Sequence, residues 1–185
     1  MHPTTPGLLR FVGALDRFAE TTGGWLAWLI LPLTLVALWE VVARYVFDAP
    51  TMWAYETIYM LCAAMFMLGA AYALRTGAHV RTDFFWSRWS PRTRAVVDTF
   101  AYAVFFFPGI ALILWVGAEA AWISFVIDER SPETAWRPPL WPLKAVVPLA
   151  AALLLVQGAS ELAKSVHALL TGEGYGYGPR EGPPA

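Results

Sequence analysis

Four long apolar runs constrain the fold of this chain more than any other feature of its sequence. They cover about 24–47, 53–74, 91–125 and 140–169, and 58% of the chain is hydrophobic. Because about twenty apolar residues are enough for a helix to cross the hydrocarbon core of a bilayer, each run can cross it once. The sequence therefore predicts an all-α integral membrane protein with four transmembrane helices in one membrane domain, 24–170.

Two shorter segments flank this membrane domain. Residues 1–23 carry apolar side chains at helical spacing, so we expect a short amphipathic lead-in on the cytosolic side. Residues 171–185 are rich in Gly and Pro, a composition that predicts a disordered cytosolic tail.

Basic residues are distributed unevenly among the segments that join the runs. If both termini face the cytosol, nine of the thirteen lie on the inner side: Arg10, Arg17, Arg75, Arg81, Arg88, Arg92, Arg94, Lys164 and Arg180. Four lie toward the outer side: Arg44, Arg130, Arg137 and Lys144. Cytosolic loops of membrane proteins carry an excess of Lys and Arg, so the count predicts that both termini are cytosolic. The net charge of −1 gives no reason to expect nucleic acid as a partner, and membrane lipids are the expected surroundings.

The connection between the second and third runs is the most basic part of the chain. Together with the first residues of the third run, the stretch from Arg75 to Arg94 holds five of the thirteen Lys and Arg residues and one acid, Asp83, with aromatic residues between them. Arginine heads favour water or lipid phosphates, and Phe and Trp rings favour the headgroup level. We therefore expect a short interfacial helix over about 80–89, with Arg81 and Arg88 on one face. A plain positive-inside loop is the alternative interpretation.

The turn between the first two runs carries a group of charged and aromatic residues. Glu40 and Arg44 are four apart, in the order that favours an ion pair on a helix, and both lie toward the membrane surface. They either neutralise each other or reach a partner subunit. Trp53 is expected to anchor the start of the second span, and Arg44 could reach Glu56 across the hairpin.

Several residues predict where the helices bend, begin and approach one another. Gly69 and Ala73 form a pair of small residues that allows close helix packing, within this chain or against another one. Pro32 and the Pro108-Gly109 pair predict bends in the first and third spans. Ser90 followed by Pro91 predicts that the third helix begins there.

Residues that metals, cofactors and catalysis need are missing from the expected positions. No histidine lies at mid-membrane, which excludes a haem held by two histidines, and no Cys/His cluster has the spacing of a metal site. Phosphate-binding loops of the Walker type and serine elbows are also missing. The middle of every span lacks Asp, Glu, Lys and Arg, which ion-coupled carriers usually place there. The sequence predicts a helical accessory subunit without cofactor or enzyme activity.

Several short motifs occur in an order that resembles one transporter family. The first hairpin carries Arg44-Tyr45-Val46-Phe47, then Pro50, Trp53 and Glu56. The second span and the basic connection carry Leu68-Gly69-Ala70-Ala71-Tyr72-Ala73-Leu74-Arg75, then Gly77, His79-Val80-Arg81, Asp83 and Phe84. These motifs resemble the small membrane subunit of tripartite ATP-independent periplasmic (TRAP) transporters, the DctQ-like family. The resemblance continues to about Gln157, and its second half is similar to the mannitol/chloroaromatic or 2-oxo-acid branch. In one departure, Tyr55-Glu56 provides one acid where the family often has two.

The resemblance implies a role in a three-part importer of the bacterial inner (plasma) membrane. A periplasmic solute-binding protein would capture an organic anion, and a large membrane subunit would carry it with sodium ions. The present chain would scaffold the large subunit and help to dock the binding protein. The residues expected to act at a subunit interface or in the structure are Glu40, Arg44, Trp53, Glu56, Gly69, His79, Arg81, Asp83 and Arg88.

Two other classes of protein remain open at this point. One is the small four-span subunit of the tricarboxylate type of tripartite carrier, and the hairpin and His79-Val80-Arg81 motifs argue against it. The other is a structural subunit of a respiratory membrane complex, and the missing mid-membrane histidines argue against a haem or quinone role.

Overall fold

The computed structural model describes residues 6–76 and 89–171, and in these residues the fold is built from helices and short connections. The helices are α1 (Pro6–Ala27), α2 (Ile30–Tyr45), α3 (Ala54–Thr76), α4 (Pro91–Ala101), a π-helical turn (Tyr102–Phe106), α5 (Phe107–Val126) and α6 (Trp141–Thr171).

Four helical stretches are long and apolar enough to cross a membrane. They are Val12–Tyr45, Ala54–Thr76, Arg92–Val126 and Trp141–Leu170. The predicted all-α membrane fold with four transmembrane helices is confirmed. The interfacial helix expected over 80–89 lies outside the described residues except for its last position, so it stays a prediction.

The first crossing is interrupted between α1 and α2. The N–H groups of Trp28 and Leu29 donate to carbonyl oxygens three residues earlier, at 3.1 and 3.0 Å, which tightens the chain there. Pro32 follows within the next turn, and it has no N–H to donate to the carbonyl of Trp28. The helix is therefore interrupted one turn before Pro32, and the bend predicted at Pro32 stays a prediction.

The third crossing begins as the sequence predicts. The Ser90 hydroxyl accepts a hydrogen bond from the Thr93 N–H at 3.2 Å, and Pro91 occupies the first turn of α4. The π-helical turn ends just before Pro108, which cannot donate a backbone hydrogen bond. A wider turn of this kind accommodates the missing bond, whereas the bend predicted at the Pro108-Gly109 pair stays a prediction.

Helix α6 is the centre of the fold, because it packs against α1, α3, α4, the π-helical turn and α5. Two glycines allow other segments to approach α6 closely. Gly117 of α5 lies against Val147 and Pro148, and Gly158 of α6 lies beneath the ring of Phe106. A third glycine, Gly23 of α1, lies beneath the ring of Tyr72 on α3.

The interior of the described bundle is made of small and polar side chains. Of the nine buried hydrophobic residues, eight are alanines and one is Val12. The large apolar side chains face outward, which in water would be unfavourable but in lipid costs little. This distribution is the one expected for helices that pack closely inside a bilayer.

Candidate functional site

A buried polar cluster joins α1 to α6, and it was not predicted from the sequence. It consists of Asp16 on α1 and of four residues on α6: Gln157, Ser160, Glu161 and Lys164. Helical spacing explains the α6 set, because positions three and four apart share one face. The side chain of Lys164 is only 14% exposed, so the cluster is largely withdrawn from solvent.

The ammonium group of Lys164 lies between two carboxylates in this cluster. Its Nζ is 2.9 Å from Asp16 Oδ2 and 2.8 Å from Glu161 Oε1. The hydroxyl of Ser160 donates to Asp16 at 2.7 Å, and the amide of Gln157 donates to both carboxylates at 3.1 and 3.2 Å. Two negative charges therefore share one positive charge and three neutral hydrogen bonds.

The cluster lies near the C-terminal end of α6, which the distribution of basic residues predicts to face the cytosol; we call this side of the bundle the inner side, the opposite side the outer side, and the cluster the inner cluster. Lys144 is at the other end of that helix, and at 1.5 Å per residue the two lysines are roughly 30 Å apart along the axis, about the thickness of the hydrocarbon core. A second inner contact ties α1 to α3, where Arg75 Nη2 lies 3.0 Å from Glu20 Oε2. Both contacts hold α1 against the rest of the bundle at its inner side.

The hairpin between α2 and α3 is held by Glu40. Its Oε1 accepts from Arg44, with Nη2 at 2.5 Å, and its Oε2 accepts from the backbone N–H of Thr51 at 3.1 Å and from the Thr51 hydroxyl. The predicted pairing of Glu40 with Arg44 on one helix is therefore present. Because Glu40 also binds the turn, it sets the geometry of the hairpin.

Glu56 has a different partner from the one considered in the sequence. Its side chain is buried, with 3% of the residue exposed, and its Oε1 accepts a hydrogen bond from the hydroxyl of Thr134. Thr134 belongs to the connection between α5 and α6, 78 residues away. The expected contact with Arg44 is thus wrong, since Arg44 is occupied by Glu40 and its side chain is 55% exposed. Trp53 lies just before α3, where its carbonyl accepts from the N–H of Thr57.

The connection from 127 to 140, which we call the outer loop, is ordered by its own hydrogen bonds. The N–H of Ser131 donates to the carbonyl of Pro138 at 2.9 Å, and the N–H of Leu140 donates to that of Glu129 at 2.9 Å. Arg130 and Pro139 form an antiparallel bridge. Prolines and these bonds constrain the outer loop, which is joined to α3 by the hydrogen bond between Thr134 and Glu56.

Glu129 fixes the outer loop to the start of α6. Its carboxylate accepts a hydrogen bond from the ammonium group of Lys144. This hydrogen bond holds the pKa of the Glu129 carboxyl below its ordinary value. Glu129 therefore stays ionised and paired at neutral pH.

The position of Gly69 on α3 lies open. A Cβ added at Gly69 would meet nothing within 4 Å, so no other helix of the described chain covers this position. The close approaches that the structure contains are at Gly23, Gly117 and Gly158 instead. The sequence left open whether Gly69 packs against a helix of this chain or of another one. In the described residues it does not pack against another helix of this chain.

The remaining predicted site residues are not described. His79, Arg81, Asp83 and Arg88 lie between the two described parts of the chain, and their roles stay predictions. The inner cluster was missed because its members are dispersed at positions 16 and 157–164. Its one sequence signal is the polar spacing on α6, where Gln157, Ser160, Glu161 and Lys164 follow each other at three- and four-residue intervals.

Fold and polar contacts together define a class of protein. The chain is a multi-span helical membrane protein whose ionisable contacts gather at the two ends of the helices. No group of three or more His, Cys, Asp or Glu side chains in the described residues is arranged to hold a metal ion.

Comparison with known families identifies the chain more closely. The family model described as tripartite ATP-independent periplasmic transporters, DctQ component, matches residues 33–168. The match covers most of the chain, so the protein belongs to this family and is a small membrane subunit of a TRAP transporter. This is a transporter component and not an enzyme family, and it occurs as a multi-pass protein of the inner membrane. A search of curated proteins found no match.

Proposed function

We propose that this chain is the scaffold subunit of a TRAP-type secondary transporter that imports an organic anion with a sodium gradient. It stabilises the large transport subunit and helps to dock the periplasmic binding protein, with both of its own termini in the cytosol. Membership of the family supports the partnership with both proteins. Concentration of the ionisable contacts at the helix ends supports a division of labour in which the large subunit carries substrate and ions.

The more exposed face of α3 is the surface we propose for the large subunit. Its residues recur at intervals of four and three positions along the whole helix: Tyr55, Tyr59, Cys62, Phe66, Gly69 and Ala73. A repeat of this kind forms one continuous seam, which is the pattern by which two helices interlock. We call these six residues the α3 seam.

The other sides of α3 are already occupied. Helices α1, α2 and α6 all pack against it, and Ala54, Glu56 and Ala71 are buried there. On the α3 seam, by contrast, Phe66 is 71% exposed and the space at Gly69 is open. Aromatic rings at the outer half and small residues at the inner half suit a partner helix that crosses close to Gly69.

The open position at Gly69 is the observation that carries this proposal. Gly69→Leu should fill the space that the partner helix needs while leaving the fold of the subunit intact, because nothing in the described chain contacts that position. Gly109→Leu is the matched control, since Gly109 of α5 is also a helical glycine with nothing within 4 Å. The measurement is the amount of large subunit that co-purifies with the tagged small subunit, together with sodium-dependent uptake in proteoliposomes.

We expect Gly69→Leu to lower co-purification by about ten-fold, which corresponds to a loss of about 1.4 kcal/mol, and Gly109→Leu to leave it unchanged. Sodium-driven uptake should fall in proportion to the assembled complex. Equal recovery of the large subunit with both variants would contradict the assignment of the α3 seam.

The outer loop is the surface we propose for the binding protein. It is joined to both α3 and α6 by hydrogen bonds, and it exposes Glu133, Trp136 and Arg137. A constrained loop with one aromatic and several charged side chains suits a partner that docks and leaves during each cycle. A photo-crosslinker at Trp136 should capture the binding protein, and capture by one at Trp25 on α1 alone would contradict the proposal.

The proposal also covers the transported substrate and the branch of the family to which the chain belongs. The resemblance of the second half of the chain to the mannitol/chloroaromatic or 2-oxo-acid branch favours a carboxylate as the transported anion. Uptake assays with 2-oxo acids and chloroaromatic acids on the complete three-part system test that assignment.

A further inference from the structure

Helix α5 presents one face to α6 and the opposite face to its surroundings. Gly117 lies against Val147 and Pro148 of α6, and Ser124 is fully buried on the same side. At about 100° per residue, Glu119 lies opposite these two positions. Trp115 and Trp122 flank it four residues before and three residues after, and they are 74% and 66% exposed.

Glu119 is unusual among the acids of the described spans because it has no partner. It forms no hydrogen bond or ion pair with any residue in 6–76 or 89–171, and its side chain is exposed. Asp16, Glu20, Glu40, Glu56 and Glu161 each contact a donor within the chain. An exposed carboxylate without a partner in the described residues, on an otherwise apolar helix face, is free to accept hydrogen bonds from a cation at the membrane surface.

The position of Glu119 along the helix gives its depth in the membrane. Between Asp98 and Glu119 the helix carries no ionisable residue except tyrosine, and the two acids are about 30 Å apart at the rise of a helix. This distance matches the hydrocarbon thickness, so Glu119 lies at the headgroup level of the outer surface. Exposed Trp side chains also favour this level.

We propose that Trp115, Glu119 and Trp122 form a binding site for the ammonium headgroup of an amine-bearing phospholipid of the phosphatidylethanolamine type. The carboxylate accepts hydrogen bonds from the ammonium group, and the two indole rings attract the same charge through their π faces. The lipid acyl chains then lie along the apolar face of α5 below the site, against Leu112.

The composition of this face favours a lipid over a helix of another protein. Its exposed residues around Glu119 are large, and helices approach each other closely in membranes where residues are small. The α3 seam has the small residues, and it is on another helix. The lipid site is therefore independent of the proposed contact with the large subunit.

The test measures which lipids the full-length chain retains. Wild-type protein and variants are purified in detergent with equal amounts of phosphatidylethanolamine, phosphatidylcholine and phosphatidylglycerol, and bound lipids are counted by native mass spectrometry. Glu119→Gln removes the charge with little change of shape. Glu133→Gln is the matched control, because Glu133 is an exposed carboxylate of the outer loop whose charge has no partner in the described residues.

We expect wild-type protein to retain phosphatidylethanolamine over phosphatidylglycerol, with phosphatidylcholine between them because its ammonium group has no N–H to donate. Glu119→Gln should lower the preference about five-fold, and a variant with both Trp115→Leu and Trp122→Leu should lower it about three-fold. Glu133→Gln should leave it unchanged.

Two results would overturn the proposal. One is an equal lipid preference in wild-type protein and Glu119→Gln. The other, measured by the co-purification assay described above, is loss of the large subunit from Glu119→Gln with an unchanged lipid preference, which would assign Glu119 to a contact with a protein partner.

Discussion

The inner and outer ends of the bundle are held together in different ways. At the inner end one buried cluster joins α1 to α6, and Asp16 and Lys164 in it are 148 residues apart. At the outer end separate pairs hold the chain, such as Glu40 with Arg44 and Thr51, and Glu129 with Lys144. Most of these outer partners are fewer than sixteen residues apart.

This difference separates two kinds of polar contact in a membrane protein. The outer ion pairs belong to short connections and each has a partly exposed member, so water can replace a lost partner. Members of the inner cluster are shared among several groups and are mostly withdrawn from water, so removal of one leaves the others without compensation. We expect the inner cluster to determine the stability of the bundle and the outer pairs to position its connections.

The largest loss of stability should come from removal of Lys164, the lysine of the inner cluster on α6. Lys164→Met leaves the carboxylates of Asp16 and Glu161 without their cation and should destabilise the chain by roughly 3–5 kcal/mol. Lys144→Met is the matched change at the outer end, and its effect should be much smaller because the pair with Glu129 is about one-third exposed.

Unfolding of both variants in mixed micelles with increasing SDS measures the difference. Equal losses for the two lysine variants would remove the distinction between the ends of the molecule. If Lys164→Met unfolded at the same SDS concentration as the wild-type protein, the inner cluster would contribute nothing net to stability.

A smaller effect is expected for the contact between the outer loop and α3. Thr134→Val keeps the shape of the side chain but leaves the buried Glu56 carboxylate without its donor, so it should cost about 1–3 kcal/mol. Thr57→Val is the control, because the Thr57 hydroxyl is exposed and bonds only to the carbonyl of Trp53 within its own helix. Proteolysis of the outer loop should accelerate in Thr134→Val alone, and protection equal to that of the control would contradict the role of this contact.

The smallest effect should be a pH dependence of the outer loop. The pKa of Glu129 is lowered in the folded protein. The contribution of its pair with Lys144 to the stability of the outer loop is therefore fully present above the ordinary pKa of a free glutamate. It is lost as pH falls through the lowered value, when the carboxylate is protonated and releases Lys144. A spin label at Glu133→Cys, in a Cys62→Ala background, should become more mobile over this acidic range.

The same label in a Lys144→Met background should show mobility that does not change with pH in this range, because the cation that lowers the pKa is gone. A pH response of equal size in both backgrounds would show that another group is responsible.

The sequence was sufficient for the features that depend on neighbours along the chain. Four membrane-spanning helices follow from the length of the apolar runs. The start of α4 follows from Ser90 and Pro91, and the irregularities near Pro32 and Pro108 follow from the missing proline N–H. The ion pair of Glu40 with Arg44 follows from a four-residue spacing on one helix.

The tertiary structure decided every contact between distant segments. Glu56 is paired with Thr134 and not with Arg44, because the outer loop folds back over the start of α3 while Arg44 stays with Glu40 on its own helix. The uncovered Gly69 also required the structure, since hydropathy cannot tell which side of α3 the other helices occupy.

Hydrophobic patterns carry little information about which helices meet inside a membrane, because lipid and the protein interior are both apolar. The sequence therefore determined that this protein is a four-span helical member of a transporter complex and where its charges lie along each helix. Only the packing of α1 and α3 around α6 decided which of those charges meet, and which positions, Gly69 and Glu119 among them, remain open to a partner.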